Sequence, residues 1–129
     1  MSSSDVKHPR AVIFDLDGTL ADTFGLIVAS WNAAVRGPLH RTFPAEEVIA
    51  RFGPTECDML RKELPAEAVD HAIDVFREKY EQDHQRMVKV FDGVPEMLEQ
   101  LMRRAIPMGV MTGKGRDTAD ITLRKLGWT

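Results

Sequence analysis

Ala11-Val12-Ile13-Phe14-Asp15-Leu16-Asp17-Gly18-Thr19-Leu20 passes from apolar to acidic within one short segment. Four apolar residues rich in β-branched and aromatic types predict a buried strand, and two carboxylates one residue apart stand where it ends. In an open α/β sheet the ligand crevice lies beyond the carboxyl ends of the parallel strands, so Asp15 and Asp17 are expected at its mouth. Gly18 then permits a backbone turn that a Cβ would hinder.

Beyond this segment, Phe24, Ile27, Val28, Trp31 and Val35 recur at helical spacing, with Asp22 or Thr23 as the cap and Gly37-Pro38 as the stop. Pro44, followed by Glu46 and Glu47, announces a second short helix that carries Val48, Ile49 and Phe52 and is ended by Gly53-Pro54. Thr55 with Asp58 has the spacing of a cap for a third helix, which ends near Leu64-Pro65. A longer fourth helix sets Val69, Ala72, Ile73, Phe76 and Tyr80 on one stripe.

A parallel sheet is ordinarily continued after one crossover helix. Four helices in succession therefore predict an inserted helical cap over residues 23–87, with the core formed by 10–22 and 88–129. After the insert, Asp92-Gly93-Val94-Pro95 opens a helix with Val94, Leu98, Leu101 and Met102 inward, and Ile106 to Thr112 reads as a second core strand. Gly113-Lys114-Gly115 is a glycine-flanked turn into a last helix, Arg116 to Leu126, stopped by Gly127. The expected class is α/β, an incomplete parallel sheet with a four-helix insertion.

The 129 residues suit one domain, long enough to bury about two thirds of the unfolded surface. With 43% hydrophobic and 29% charged residues and a net charge of -3, the composition carries neither a nucleic-acid footprint nor a polybasic membrane anchor. The longest uncharged stretch, Thr23 to Val35, falls well short of the roughly 20 apolar residues that span a bilayer, so a soluble chain is expected. Met1 to Pro9 is polar and reads as a disordered lead-in rather than a targeting peptide. The single cysteine, Cys57, excludes an internal disulfide and a cysteine-based zinc site and suits a reducing cytoplasm. His8, His40, His71 and His84 have no metal-ligand spacing and read as surface or packing residues.

Asp15-Leu16-Asp17-Gly18-Thr19-Leu20 resembles the first motif of the haloacid dehalogenase-like superfamily, whose phosphatases carry Asp-x-Asp-Gly-Thr after the first strand. The order strand, four-helix insert, helix, strand, glycine turn, helix is similar to the phosphoglycolate phosphatase-like branch and covers nearly the whole chain, which implies a Rossmann-like core. The resemblance implies that Asp15 is the nucleophile, forming an aspartyl-phosphate from a small phosphomonoester, and that Asp17 is the general acid and base. A carboxylate about 4 Å from a phosphate dianion is opposed by roughly 8 kcal/mol at an effective dielectric of 20, so a cation is required. The resemblance supplies Mg²⁺, with Asp15 and Asp17 in its shell.

Thr112 resembles the second motif, in which a hydroxyl and the next backbone N–H, here that of Gly113, hold the transferring phosphoryl group with help from the following helix N-terminus. The alternative is a threonine capping a turn. Lys114 reads as a solvated turn residue, with substrate contact or charge balance as its other reading. Arg51 and Gly53-Pro54-Thr55 resemble a cap loop that meets the leaving group, against a solvated arginine beside a helix stop. A nucleotide-binding P-loop is not present at Gly109 to Gly115, because Met108 stands where a glycine is needed and Gly115 where Ser or Thr is needed.

Nothing after Thr112 matches the later family motifs, which contribute a lysine and further acidic residues. Ala11 to Leu16 is accordingly expected to keep an open apolar edge, open to self-association or partner pairing. The favoured reading is the N-terminal part of a Mg²⁺-dependent phosphatase with little activity of its own. A non-catalytic binding or assembly module and a phosphomutase are the alternatives, while Asp17 argues against a dehalogenase.

Overall fold

The computed structural model describes residues 10–128, so the lead-in expected at Met1 to Pro9 lies outside the described residues. The chain runs β1 (Val12–Phe14), β2 (Ala21–Asp22), α1 (Phe24–Leu39), α2 (Ala45–Ile49), α3 (Glu56–Glu63), α4 (Ala66–Met87), β3 (Lys89–Val90), α5 (Val94–Arg103), β4 (Met108–Val110) and α6 (Arg116–Lys125). β1 and β4 pair in parallel, Val12 opposite Met108 and Phe14 opposite Val110, and Met111 N–H donates to the Phe14 carbonyl at 2.8 Å. The pairing sets the acidic end of β1 beside the Thr112 turn, because parallel strands deliver their carboxyl ends to the same side.

A second sheet was not expected. Ala21 pairs with Val90 and Asp22 with Lys89 in an antiparallel ribbon, joining the points where the chain enters and leaves the four-helix run. Strands of two residues are too short to leave an alternating pattern in sequence.

Helices α1 to α4 enclose one apolar cluster around the fully buried Leu26, Trp31, Val35, Leu60 and Tyr80, with Trp31 meeting Phe43 edge-on at 5.7 Å between ring centroids. A second cluster gathers Leu16, Leu20, Val94 and Ala119 between the strands, α5 and α6. Helix α6 serves both, giving Ala119 to the second and Ile121 to the first. Tyr80 O–H and Thr122 Oγ1 lie 2.6 Å apart, His84 Nε2 is 3.0 Å from the same hydroxyl, and Arg77–Asp117 and Arg124–Glu81 ion pairs at 2.7 Å flank them. These contacts fasten α4 to α6.

Four expectations are corrected. The first strand forms but is not buried: Val12 and Phe14 are half-buried, and Ile13 is 66% exposed. Helix α1 does not stop at Gly37-Pro38 but reaches Leu39, where His40 in the left-handed region donates its N–H to Arg36 O. Pro38 therefore lies inside the last turn, where it has no N–H to give to the preceding turn. Met102, expected inward on α5, is 69% exposed, and of the expected face only Val94 is buried. β4 pairs as expected but is not a core strand, since Met108, Gly109 and Val110 are all exposed along a groove of about 870 Å³ between α5, the strands and α6. Among the described residues, no helix is long and apolar enough to cross a membrane.

Candidate active site

Asp15 and Asp17 leave β1 on a tight turn in which Leu20 N–H donates to Leu16 O at 3.0 Å and Gly18 N–H to Ala21 O at 2.9 Å. Gly18 adopts φ +76, and a Cβ there would stand 2.9 Å from the Phe24 ring, so both conformation and space call for glycine. The turn closes over buried Leu16 and Leu20 and leaves Asp15 exposed and Asp17 partly buried. Asp15 accepts Leu16 N–H on Oδ1 at 2.7 Å.

Asp17 is held from two sides. The fully buried Thr23 donates its hydroxyl to Oδ1, and Lys114 Nζ lies 3.2 Å from each carboxylate oxygen. Of Asp22 and Thr23, the two residues expected to cap α1, Thr23 occupies the N-cap position but makes no side-chain cap bond, and its hydroxyl donates to Asp17. The solvated reading of Lys114 is overturned: its side chain is 2% exposed and its ammonium lies 4.5 Å from the centre of the Tyr80 ring. Burial acts to lower the Lys114 pKa, but Tyr80, Asp17 and Glu56 outweigh it and hold the ammonium above the usual lysine value. Burial also pushes the Tyr80 phenol up, against the pull of Lys114.

Thr112 ends the stretch after β4, and its Oγ1 accepts Lys114 N–H at 3.1 Å, so the turn-capping role is present while the hydroxyl proton stays free to donate. Thr112, Gly113, Lys114, Asp15 and Asp17 line one cleft of about 300 Å³. Its far wall comes from the helical layer: Phe24, Ile27, Phe52, Gly53, Pro54, Glu56, Met59 and Phe76.

Glu56 escaped the sequence reading. Its carboxylate accepts Gly115 N–H at 2.9 Å and the Thr118 hydroxyl, so these donors at the start of α6, expected to assist a phosphate, face an acid of α3 instead. No residue pattern near Glu56 points to a contact 59 positions away. Arg51, expected as a substrate contact, is turned away: Nε donates to Glu63 at 2.6 Å, Nη1 donates to Glu47 O at 2.7 Å, and the guanidinium lies 4.8 Å from the centre of the Phe43 ring. The Gly53-Pro54 part of that loop does border the cleft. His84 is a packing residue and His40 and His71 are exposed, as expected, while His8 lies outside the described residues.

Mg²⁺ takes oxygen donors and keeps several waters, binding through one or two carboxylates plus substrate phosphate. The exposed Asp15 carboxylate fits that donor set, while the Asp17 carboxylate is engaged by Thr23 and Lys114 and would contribute through its backbone carbonyl. Among the described residues no cluster of three or more acidic, histidine or cysteine side chains could hold a metal by itself.

A parallel pair of strands with paired acids, a hydroxyl and a buried ammonium gathered at their carboxyl ends defines an α/β protein with its candidate site in the crevice at those strand ends. The sequence profile of haloacid dehalogenase-like hydrolases matches residues 12–129, and the chain belongs to that family. It is 32% identical over 121 residues to pyrophosphatase PpaX of Bacillus velezensis, covering 94% of this chain and 56% of that protein. It is also 32% identical over 126 residues to a phosphoglycolate phosphatase of Xanthomonas campestris, covering 95% and 57%. The chain thus spans about half the length of the curated relatives it matches. Among solved structures it is similar to a hydrolase from Pseudomonas syringae at TM-score 0.72 and 28% identity, covering 91% of this chain and 55% of that one. A predicted phosphoglycolate phosphatase from Haemophilus somnus shares the fold at TM-score 0.79 and 20% identity, covering 92% and 58%.

Proposed function

We propose that this chain carries the nucleophile-bearing part of a Mg²⁺-dependent phosphatase acting on a small organic phosphomonoester, with α1 to α4 as its cap and the cytoplasm as its setting. The observation that supports this best is the convergence of Asp15, Asp17, Thr112, Gly113 and Lys114 on one cleft, from segments almost 100 residues apart.

Asp15, exposed at the mouth, attacks phosphorus in line with the ester oxygen, and the P–O bond to the alcohol breaks as the aspartyl-phosphate forms. Asp17 delivers a proton to the departing alkoxide, then accepts one from the water that hydrolyses the acyl phosphate and frees Asp15. Thr23 and Lys114 fix the orientation of Asp17 for both transfers. The Thr112 hydroxyl and Gly113 N–H are the donors available to the phosphoryl oxygens. Mg²⁺, when bound by Asp15 and Asp17, supplies positive charge against the repulsion between carboxylate and phosphate.

Beryllium fluoride, which mimics an acyl phosphate, tests the assignment. With Mg²⁺ present, fluorine NMR of the chain is expected to give bound resonances that vanish in Asp15→Asn; equal signals from both proteins sink it. Turnover by the 129-residue chain is expected to be slow, because Lys114 is already matched to Asp17. Fast Mg²⁺-dependent hydrolysis would contradict that expectation. A binding or assembly role is favoured by a different observation, the apolar groove beside β4 with Met102 and Met111 exposed along it.

A further inference from the structure

On the phosphatase reading, the wall contributed by α1, α3, α4 and the α2–α3 loop, which stands opposite the strand ends, is the one that would face the leaving group. Its side chains are apolar apart from one, and that one is the acid Glu56. Glu56 keeps its place by accepting Gly115 N–H and the Thr118 hydroxyl, and a Cβ on Gly115 would stand 2.6 Å from its Oε1. The carboxylate is therefore pinned at the cleft rather than swinging in solvent. Positive charge to offset it is scarce. Lys114 is the one cation among the lining residues and lies 3.2 Å from Asp17, while Arg51 is bound to Glu63 and the Glu47 carbonyl.

We propose that Glu56 selects substrate by charge: the cleft accepts phosphomonoesters of uncharged or cationic alcohols and disfavours leaving groups that carry a negative charge, such as the phosphate that departs from pyrophosphate or the glycolate that departs from phosphoglycolate. The inference rests on the phosphatase reading above and adds the substrate class. Two like charges in one small, partly desolvated cleft repel by an amount set by their separation and the local dielectric, and at an effective dielectric of 20 even one charge pair across several ångströms is worth about a tenfold change in affinity. An apolar wall beside the acid gives an uncharged alkyl group favourable burial and a primary ammonium a partner.

Non-hydrolysable phosphonates test this without turnover. Dissociation constants for ethylphosphonate, 2-aminoethylphosphonate, phosphonoacetate and methylenediphosphonate are measured by NMR titration with Mg²⁺ present. Phosphonoacetate and methylenediphosphonate are expected to bind at least about tenfold more weakly than the first two, a difference of about 1.4 kcal/mol. Glu56→Gln, whose oxygen can accept Gly115 N–H while its amide NH2 donates to Thr118 Oγ1, is expected to bring phosphonoacetate within about threefold of ethylphosphonate. Equal or tighter binding of the doubly anionic ligands to the wild type overturns the charge selection alone, as does an unchanged gap in a folded Glu56→Gln. If none of the four binds, the phosphoryl site itself is wrong and the selection falls with it. Should Glu56→Gln fail to fold, the wild-type ranking decides by itself.

Discussion

At the scale of single residues, the chemistry of this chain depends on how each charged group is partnered. Asp17 is partnered by Thr23 and Lys114, Glu56 by Gly115 and Thr118, and Asp15 is left exposed with one backbone bond. His84 is the residue whose titration reports on the fold. Burial, helped by Lys125 and Lys114, pushes its imidazole below the ordinary value of 6.5. The unfolded chain then takes up a proton near that pH that the folded chain refuses, so this contribution to stability is present above it and is lost as pH falls below it. The melting temperature is expected to drop between pH 7.5 and 5.5, and His84→Gln is expected to flatten that slope, which cannot exceed about 1.4 kcal/mol per pH unit for one group. An identical slope in the variant would refute the role given to His84. Asp15, Asp17 and Thr112 were legible from their positions at strand ends. Lys114 was not, because its burial depends on the ring of Tyr80, which arrives from α4.

Among elements, α6 is the joint. It packs Ala119 against the strand layer and Ile121 against the helical layer, and its Thr122 hydroxyl is shared by Tyr80 and His84 of α4. Thr122→Val keeps the shape and leaves two buried polar groups unpartnered, which is expected to cost about 2–3 kcal/mol in urea denaturation. A loss below about 0.5 kcal/mol would mean that apolar contacts alone hold α4 to α6. The helices were largely readable because their stripes repeat over many residues and their caps are local, as at Thr55, whose side chain accepts Asp58 N–H at 3.2 Å. The end of α1 was misjudged, since whether Gly37-Pro38 stops a helix depends on which residue can enter the left-handed region, and His40 does so two residues on. The β2–β3 ribbon was missed for want of length.

For the whole molecule, the sheet is the exposed part. Among the described residues β1 pairs only with β4, Ile13 is 66% exposed, and Met108, Val110 and Met111 lie open beside it. Apolar surface next to unsatisfied strand edges invites pairing with another chain. The 129-residue chain is expected to associate with rising concentration in sedimentation velocity, and Ile13→Lys to shift it toward monomer; a wild-type chain that stays monomeric at high concentration would remove that surface from consideration. The strand character of Val12 to Phe14 was legible, because β-branched and aromatic residues run directly into the acids. The alternation of elements, the acids at the end of β1 and the run of four helices were likewise settled by local pattern, since strand ends, caps and apolar stripes are properties of neighbouring residues. Which charges meet was decided only in three dimensions. Lys114 on Asp17, Glu56 on Gly115 and Arg51 on Glu63 join residues 97, 59 and 12 positions apart, and an ion pair has no periodicity by which a chain could announce it.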